Sequence, residues 1–440
     1  MLASSTITVS KKGVLWRTFR YTGRGELESV RDGLRGDVHY GHDPERCLLQ
    51  HLEPRQNPLA RRLQYDQADN LVDAPPVPVI SNRLSHWQRL FYRYDAWGNL
   101  VSRRSGLSEQ HYVYDADNRL LQASGHGPQG DFSAQYHYDA LGRRTRKTVT
   151  YKGKRPQTTR FLWQGYRLLQ EQRDNGTRRS WAYDPASPWT PLAAIEQADG
   201  GPQADIYWLH ADLNSAPLEV TDADGHLRWS GQYDTFGRLK GQTIAGAALR
   251  EGATYDQPLR YAGQYEDNES GLHYNLFRYY DPDSGRFTVQ DPIGLAGGTN
   301  LYAYVPNPLT WIDPLGLAGC SAQFPSRKAA FRAAKRDAGI PMNQQPDRIF
   351  NSKTGFYGDH RNVPMTNSRK QPIYDSNGKQ VWTREYQFTK QDGSKVIIQD
   401  HSAGHSYPNG VGNQGSHLNV RPIDNIRTGS VPGTLDHYEF

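Results

Sequence analysis

Residues 94–100 read Tyr94-Asp95-Ala96-Trp97-Gly98-Asn99-Leu100, and the same wording returns along the chain. It appears as YDQADNL from Tyr65, YDADNRL from Tyr114, YDALGRR from Tyr138 and YDTFGRL from Tyr233, with looser copies at Tyr183, Tyr255 and Tyr280. Eight Tyr-Asp pairs before residue 318 exceed the roughly two expected by chance, so the pair marks a repeated unit. A ninth, Tyr374-Asp375, lies in a tail of different composition and is read as coincidence. The local chemistry explains the wording. Tyr closes a strand and packs its ring on the next one. Asp opens a turn by accepting bonds from backbone N–H groups ahead of it. Gly or Asn takes the positive φ that the turn needs, and Leu resumes the next strand. Spacings of roughly 20–30 residues give one hairpin-like unit per repeat, and stacked hairpins bury a continuous face. The repeated Tyr and Asp residues are therefore architectural.

Composition agrees. Tyr (27), Gly (42) and Trp (10) are plentiful and Met (3) is scarce, a mix that favours short strands and tight turns. No run of about eighteen apolar residues occurs, so no helix of this sequence spans a membrane. Met1 to Arg20 lacks the basic-apolar-small layout of a secretory signal, which implies export without a cleaved signal. Cys47 and Cys320 are too few for a disulfide framework or a thiolate metal cluster. Charge is uneven. Residues 318–440 hold 16 Lys/Arg against 10 Asp/Glu while the rest balances at 36 of each, so the whole net +6 sits in the tail. A basic module on a neutral body points to an anionic partner for the tail alone.

Residues 205–317 carry a resemblance. YWLHADLNSAPLEVTDADGHLRWSGQYDTFGR (207–238) and LRYAGQYEDNESGLHYNLFRYYDPDSGRFTVQDPIGLAGGTNLYAYVPNPLTWIDPLGL (259–317) resemble the Rhs repeat-associated core of YD-repeat polymorphic toxins. Asn214-Ser215-Ala216 departs from that pattern, where a Gly usually precedes the Pro. The box Asp291-Pro292-Ile293-Gly294 is followed after eighteen residues by Asp313-Pro314-Leu315-Gly316. Each box alone reads as a tight turn, since Pro fixes φ and Gly permits positive φ. The doublet resembles the family's self-cleavage signature. The resemblance implies that Asp291 and Asp313 form an aspartyl-protease-like dyad that cuts after Leu317. Two nearby carboxyls cannot both ionise, so one keeps its proton. The ionised one activates water and the protonated one polarises the scissile carbonyl. The family also implies a shell that encloses the severed tail until delivery, and this chain starts in mid-repeat.

Past Gly319 the wording changes. SRKAAFRAAKRDAGI (326–340) predicts a basic helix with Ser326 as N-cap, Phe331, Ala330 and Ala334 as its apolar stripe, and Gly339 then Pro341 as its stop. Residues 351–381 read as polar and irregular. REYQFTKQDGSKVIIQDH (384–401) predicts a hairpin turning at Asp392-Gly393. On its second strand Val396, Ile398 and Asp400 share one face, while Ile397, Gln399 and His401 share the other. If GSHLNVRP (415–422) is extended, His417, Asn419 and Arg421 share a face. Asp400, His401, His405 and His417 thus cluster in sequence, and imidazole and carboxylate donors without thiolate suit Mg²⁺, Mn²⁺, Ni²⁺ or Zn²⁺. Such an ion clamps a phosphate oxygen and steadies the leaving oxygen, while a free His deprotonates the attacking water. Arg421 would grip a neighbouring phosphate, and the basic helix would add sequence-independent attraction.

DHSAGH (400–405), GSHLNVRP and the terminal HYEF resemble the GHH-signature toxins of the HNH/endonuclease VII superfamily. Carried over by position, His405 is the general base, Asp400, His401 and His417 are the metal ligands, and Asn419 orients the site. An exchange of roles between His401 and His405 stays open. The expected architecture is a mainly β repeat shell, a partial YD β-hairpin spiral, followed by a small α+β toxin domain of ββα-metal type. The expected divisions are 1–258 for the repeats, 259–317 for the core with its cleavage motif, and 318–440 for the nuclease. The resemblance implies a secreted effector acting in a target cell's cytoplasm, with DNA favoured as substrate, a cognate immunity protein, and secretion-apparatus or chaperone partners. Two other readings remain: a metal-free ribonuclease that uses two His as acid and base, and a non-enzymatic repeat scaffold with a defective tail.

Overall fold

The computed structural model describes residues 2–439 apart from 10–12, 23–25, 44–48, 55–62, 74–76, 186, 200, 202, 245–255, 306, 310, 318–320, 324–326, 366–371, 373–379, 391, 403–415, 427–430, 432–433 and 435–436. Cys47, Cys320, Tyr255, Ser326, Tyr374 and His405 lie outside the described residues. The chain divides into two compact units. The larger joins Ser4–Phe19 to Ser29–Gly319, so the repeats and the core pack together; the smaller joins Met1–Ala3 and Arg20–Glu28 to Cys320–Phe440.

In the larger unit, fifteen strands from His86–Trp87 to Leu239–Ile244 pair in sequence order, each antiparallel to the next. The repeat supplies the turns as expected. Asp139 Oδ1 accepts from the N–H groups of Leu141 and Arg143, both at 3.0 Å. The residue three after each Asp sits at positive φ: Gly98 (88°), Asn118 (59°), Gly142 (76°) and Gly237 (84°). In the copy at Tyr65 that place is taken by Asp69 (59°) rather than Asn70. The Tyr does more than pack. Its hydroxyl donates to the carbonyl near the start of the preceding strand: Tyr114 to Leu100 (2.9 Å), Tyr138 to Leu120 (2.7 Å), Tyr183 to Leu168 (2.8 Å) and Tyr233 to Pro217 (2.8 Å). Each repeat is thereby stitched to the one before it.

The copy at Tyr138 breaks the pattern, with Arg144 where Leu resumes the strand elsewhere. Arg144 is fully buried and lies over the rings of Tyr274 (4.3 Å) and Phe161 (4.7 Å). Its guanidinium donates to Asp267, which also accepts from Lys147 Nζ at 3.0 Å. Asp267 ends the first strand of a four-stranded sheet, Tyr265–Asp267, Leu272–Asn275, Arg278–Asp281 and Arg286–Phe287. A buried cation needs a matched anion, so this pair ties the core sheet to the repeats. Asn214-Ser215-Ala216 is a turn with Ser215 at φ 68°, the conformation a Gly would adopt without strain.

The smaller unit is α+β. Six strands run in the order Ser321–Gln323, His437–Glu439, His417–Pro422, Lys395–His401, Trp382–Thr389, Arg361–Pro364. Helix Arg327–Asp337 covers one face, with Ala330 and Ala334 fully buried and Phe331 5.0 Å from the Tyr386 ring. Gly339 follows at φ 70°. The predicted hairpin turns at Gly393, φ 80°, whose N–H donates to Lys390 O at 3.0 Å. The helix precedes this hairpin in the chain, and after Pro422 the chain returns as the strand His437–Glu439. The stretch read as irregular holds a further hairpin, Ile349–Asn351 with Phe356–Gly358. None of the described helices is long and apolar enough to cross a membrane.

Candidate active sites

The two Asp-Pro-x-Gly boxes are turns and also meet. Asp291 Oδ1 accepts from Ile293 N–H at 3.0 Å, and Asp313 Oδ1 accepts from Leu317 N–H at 2.9 Å. Gly294 and Gly316 take φ 61° and 69°. The remaining carboxylate oxygens converge on one residue the sequence reading missed, Arg278. Its Nη2 lies 2.8 Å from Asp291 Oδ2 and 3.6 Å from Asp313 Oδ2. The same guanidinium donates through Nε to the Gly316 carbonyl and through Nη1 to Leu301 O at 3.1 Å. Phe287 backs it at 3.6 Å. Asn275 Nδ2 donates to Asp313 O at 2.9 Å, and Phe277 N–H donates to Leu315 O at 3.3 Å. A Cβ on Gly263 would lie 2.1 Å from Pro314 O, so only glycine lets the box settle there.

The place is dry: Arg278, Asp291 and Asp313 are all buried. Burial pushes the Asp291 carboxyl up, against the pull of Arg278, and lowers the Arg278 guanidinium to about 10 despite both carboxylates. Burial thus favours the neutral form of Asp291 while the adjacent guanidinium opposes it. Arg278 was hidden because its stretch, RYYD, reads as one more loose Tyr-Asp repeat.

In the smaller unit the strands Lys395–His401 and His417–Pro422 pair antiparallel, setting His401 directly opposite His417 and Gln399 opposite Asn419. Cross-strand partners share a face. The two imidazoles stack with centroids 4.8 Å apart and planes 26° from parallel. His417 and Asn419 are buried and His401 is half-buried. Arg421 follows on the same strand, opposite Ile397. The register continues across His417 to Glu439 on the next strand.

Asp400 corrects the expectation. Adjacent residues of a strand point to opposite faces, and its carboxylate is on the helix side. There Arg327 donates to Oδ2, through Nε at 2.8 Å and through Nη2, and Ser402 donates to Oδ1. Its backbone carbonyl accepts from Thr383 Oγ1 at 2.9 Å. Asp400 therefore braces the helix against the sheet rather than facing the imidazole pair. Two imidazoles on one face fit part of a divalent-metal donor set; Asp400 does not. Among the described residues, the trio of His/Cys/Asp/Glu close enough to share an ion is Asp222, Asp224 and His226. That is an acidic turn of the repeat, whose Asp222 is bound to Arg228 at 2.9 Å.

A family model for the teneurin YD-shell matches residues 2–297. A second, Tox-HNH-EHHH, described as HNH/Endo VII superfamily nuclease toxins, matches residues 372–440. Among curated proteins, the double-stranded DNA deaminase toxin A of Burkholderia cenocepacia is 41% identical over 342 residues, 72% of this chain and 23% of that protein. Toxin protein Tse5 of Pseudomonas aeruginosa is 31% identical, covering 68% of this chain and 27% of its own length. The probable deoxyribonuclease RhsA of Dickeya dadantii is 32% identical, covering 74% and 23%. The chain thus spans about a quarter of the length of these relatives.

Proposed function

The chain belongs to the YD-shell family and ends in an HNH/Endo VII nuclease-toxin segment, and from that premise we propose that it is the C-terminal part of an Rhs-type toxin. Its tail, freed by self-cleavage after Leu317, hydrolyses nucleic-acid phosphodiesters with a divalent metal ion, DNA in preference to RNA. The observation that carries the nuclease reading is the stacked pair His401–His417 on one sheet face. His401 and His417 would hold the ion. The ion would polarise a phosphate oxygen and stabilise the leaving oxygen. Asn419, beside the pair, would orient an imidazole by hydrogen bonding. His405 would take the proton of the attacking water, and Arg421 would bind a flanking phosphate. The nuclease class rests on the match of residues 372–440 to HNH/Endo VII superfamily nuclease toxins, and DNA is the substrate tested first.

Self-cleavage rests on the Arg278 cluster. The ionised carboxyl of the pair takes a proton from water. The protonated one donates to the Leu317 carbonyl oxygen as the water oxygen adds to its carbon. On collapse the Leu317–Ala318 C–N bond breaks, the first carboxyl gives the water's proton to the leaving nitrogen, and the second recovers its own from the new carboxyl group. Arg278 fixes the Gly316 carbonyl, and Asp313 fixes the Leu317 N–H, which holds the cut segment in register. A neutralising immunity protein, delivery partners and action inside a target cell complete the proposal.

The test is nicking of supercoiled plasmid by the purified protein with Mg²⁺, Mn²⁺, Ni²⁺ or Zn²⁺ and with chelator. Nicking that needs metal and is lost in His417→Ala is expected. Cleavage that persists in chelator, or that acts on RNA alone, supports the metal-free ribonuclease instead. No cleavage of either nucleic acid leaves the scaffold reading.

A further inference from the structure

Three aromatic side chains of the smaller unit stand in solvent on one short hairpin. Phe350 is 50%, Phe356 75% and Tyr357 64% exposed. Phe350 and Tyr357 are a cross-strand pair with centroids 5.5 Å apart. Exposed large rings in a cluster lower stability without a return from the fold, so they mark a surface that something else covers.

The hairpin is nevertheless built firmly. Asn351 is buried, and its Oδ1 accepts from Lys353 N–H at 3.1 Å while its carbonyl accepts from Gly355 N–H at 2.8 Å. Gly355 takes φ 77°. The base is anchored at Asp347, whose N–H donates to Gln387 O at 2.8 Å and whose Oδ2 accepts from Thr389 Oγ1 at 2.7 Å. The tip is anchored by Lys353, whose ammonium lies 4.4 Å from the Trp382 ring. The hairpin therefore runs along the strand Trp382–Thr389. Its tip lies at the end of the sheet that bears His401, since Thr383, next to Trp382, bonds Asp400.

Charge selects the occupant. Arg348 stands at the base, its Nη2 donating to Tyr357 O at 3.2 Å, and Lys353 stands at the tip. Rings interleaved with cations, on a tail that holds the whole net +6 of the chain, suit flat faces joined by phosphates. We infer that the hairpin Ile349–Gly358 is a base-stacking clamp for unpaired nucleotides, gripping the strand that the His401–His417 site cuts. The family match to residues 372–440 does not reach it. The inference rests on the nuclease reading for its purpose but predicts binding that can be read without cleavage.

The test uses the full chain in chelator, with two labelled probes: oligothymidylate of about 15 nucleotides and a blunt duplex of the same length. Fluorescence anisotropy reads affinity. Tyr357→Ala and Phe350→Ala should each weaken oligothymidylate binding by about tenfold or more and change duplex binding by less than about twofold, with Tyr357→Trp restoring the loss. Lys353→Gln should lower the slope of log affinity against log salt by about 0.7. Because these side chains are largely exposed and make one ring contact each, the melting temperature should fall by no more than a few degrees. Unchanged oligothymidylate affinity in Tyr357→Ala overturns the clamp, as does equal loss on both probes or no binding by the wild-type chain. Failure of the nuclease reading is a different result: binding persists, yet no nucleic acid is cut when metal is supplied.

Discussion

Asp291→Asn isolates the chemistry of release from the architecture that holds it. The carboxylate makes two contacts, Oδ1 with Ile293 N–H and Oδ2 with Arg278 Nη2. Asparagine has one oxygen, so one of these must go, and a buried donor left unmatched costs about 1–3 kcal/mol. Native domains are stable by about 5–15 kcal/mol, and Arg278 keeps its bonds to Gly316 O and Leu301 O. The fold should survive. The variant lacks one of the two carboxyls that the proposed mechanism needs, and general acid–base catalysis contributes about 10²–10⁴ in rate. Cleavage should therefore slow by at least about a hundredfold. The assay is refolding from urea, followed by intact mass over time. Wild type should resolve into fragments 1–317 and 318–440, while the variant should stay a single 440-residue species that is folded, with a melting temperature lowered by roughly 2–10 °C. Wild-type cleavage kinetics in Asp291→Asn would refute the dyad. A cut elsewhere than after Leu317 would refute the assignment of the boxes.

Burial holds the Asp291 carboxyl above its ordinary range, so its protonated form persists into higher pH, and refolding-coupled cleavage should fade only as pH rises through that raised value. Removing the Arg278 charge, which pulls the value down, should move the fade to still higher pH while slowing cleavage overall; a pH series of Arg278→Gln refolding checks the sign. Gly263→Ala should slow cleavage with the dyad intact, because its Cβ would drive into Pro314 O and φ 75° suits only glycine; fragment yield on refolding measures it. Arg144→Leu restores the repeat's usual residue yet should destabilise the larger unit by about 1–3 kcal/mol, read by urea unfolding, because Asp267 loses one of its two buried cations and keeps Lys147.

The turn chemistry was legible because it is local: Asp, two residues, then a residue at positive φ lie within one window of sequence. What the Tyr hydroxyl does was not legible, since its acceptor lies some 14 to 18 residues back and only the strand register brings it near. Arg278 escaped for a similar reason. It stands thirteen positions before Asp291 and thirty-five before Asp313, and nothing in RYYD distinguishes a charge-bearing Arg from a repeat flank. Asp400 failed differently. The alternation that places it with Val396 and Ile398 separates it from His401, because neighbours in a strand are close in sequence yet face opposite sides of the sheet. Arg327, its partner, lies 73 positions away on the helix. The hairpin at Ile349–Gly358 was missed because strands of three residues are too short for alternation to register.

The placement of the contacts also bears on why relatives with different named activities match this chain. The residues that grip 313–317 are Gly263, Asn275, Phe277 and Arg278, with Tyr304 OH accepting from Asp313 N–H, and all of them precede the cut. Among the described residues, nothing after Leu317 is needed to hold the dyad or to aim it. A release device of the proposed kind, complete on its own side of the bond, would place no demand on the sequence beyond it. The proteins that share roughly 70% of this chain are named as a deaminase, a toxin and a probable deoxyribonuclease. Proteins of different named activities thus share most of this chain. The likeness of the shell therefore cannot choose a substrate, and the choice has to be made on the imidazole pair and the surfaces around it.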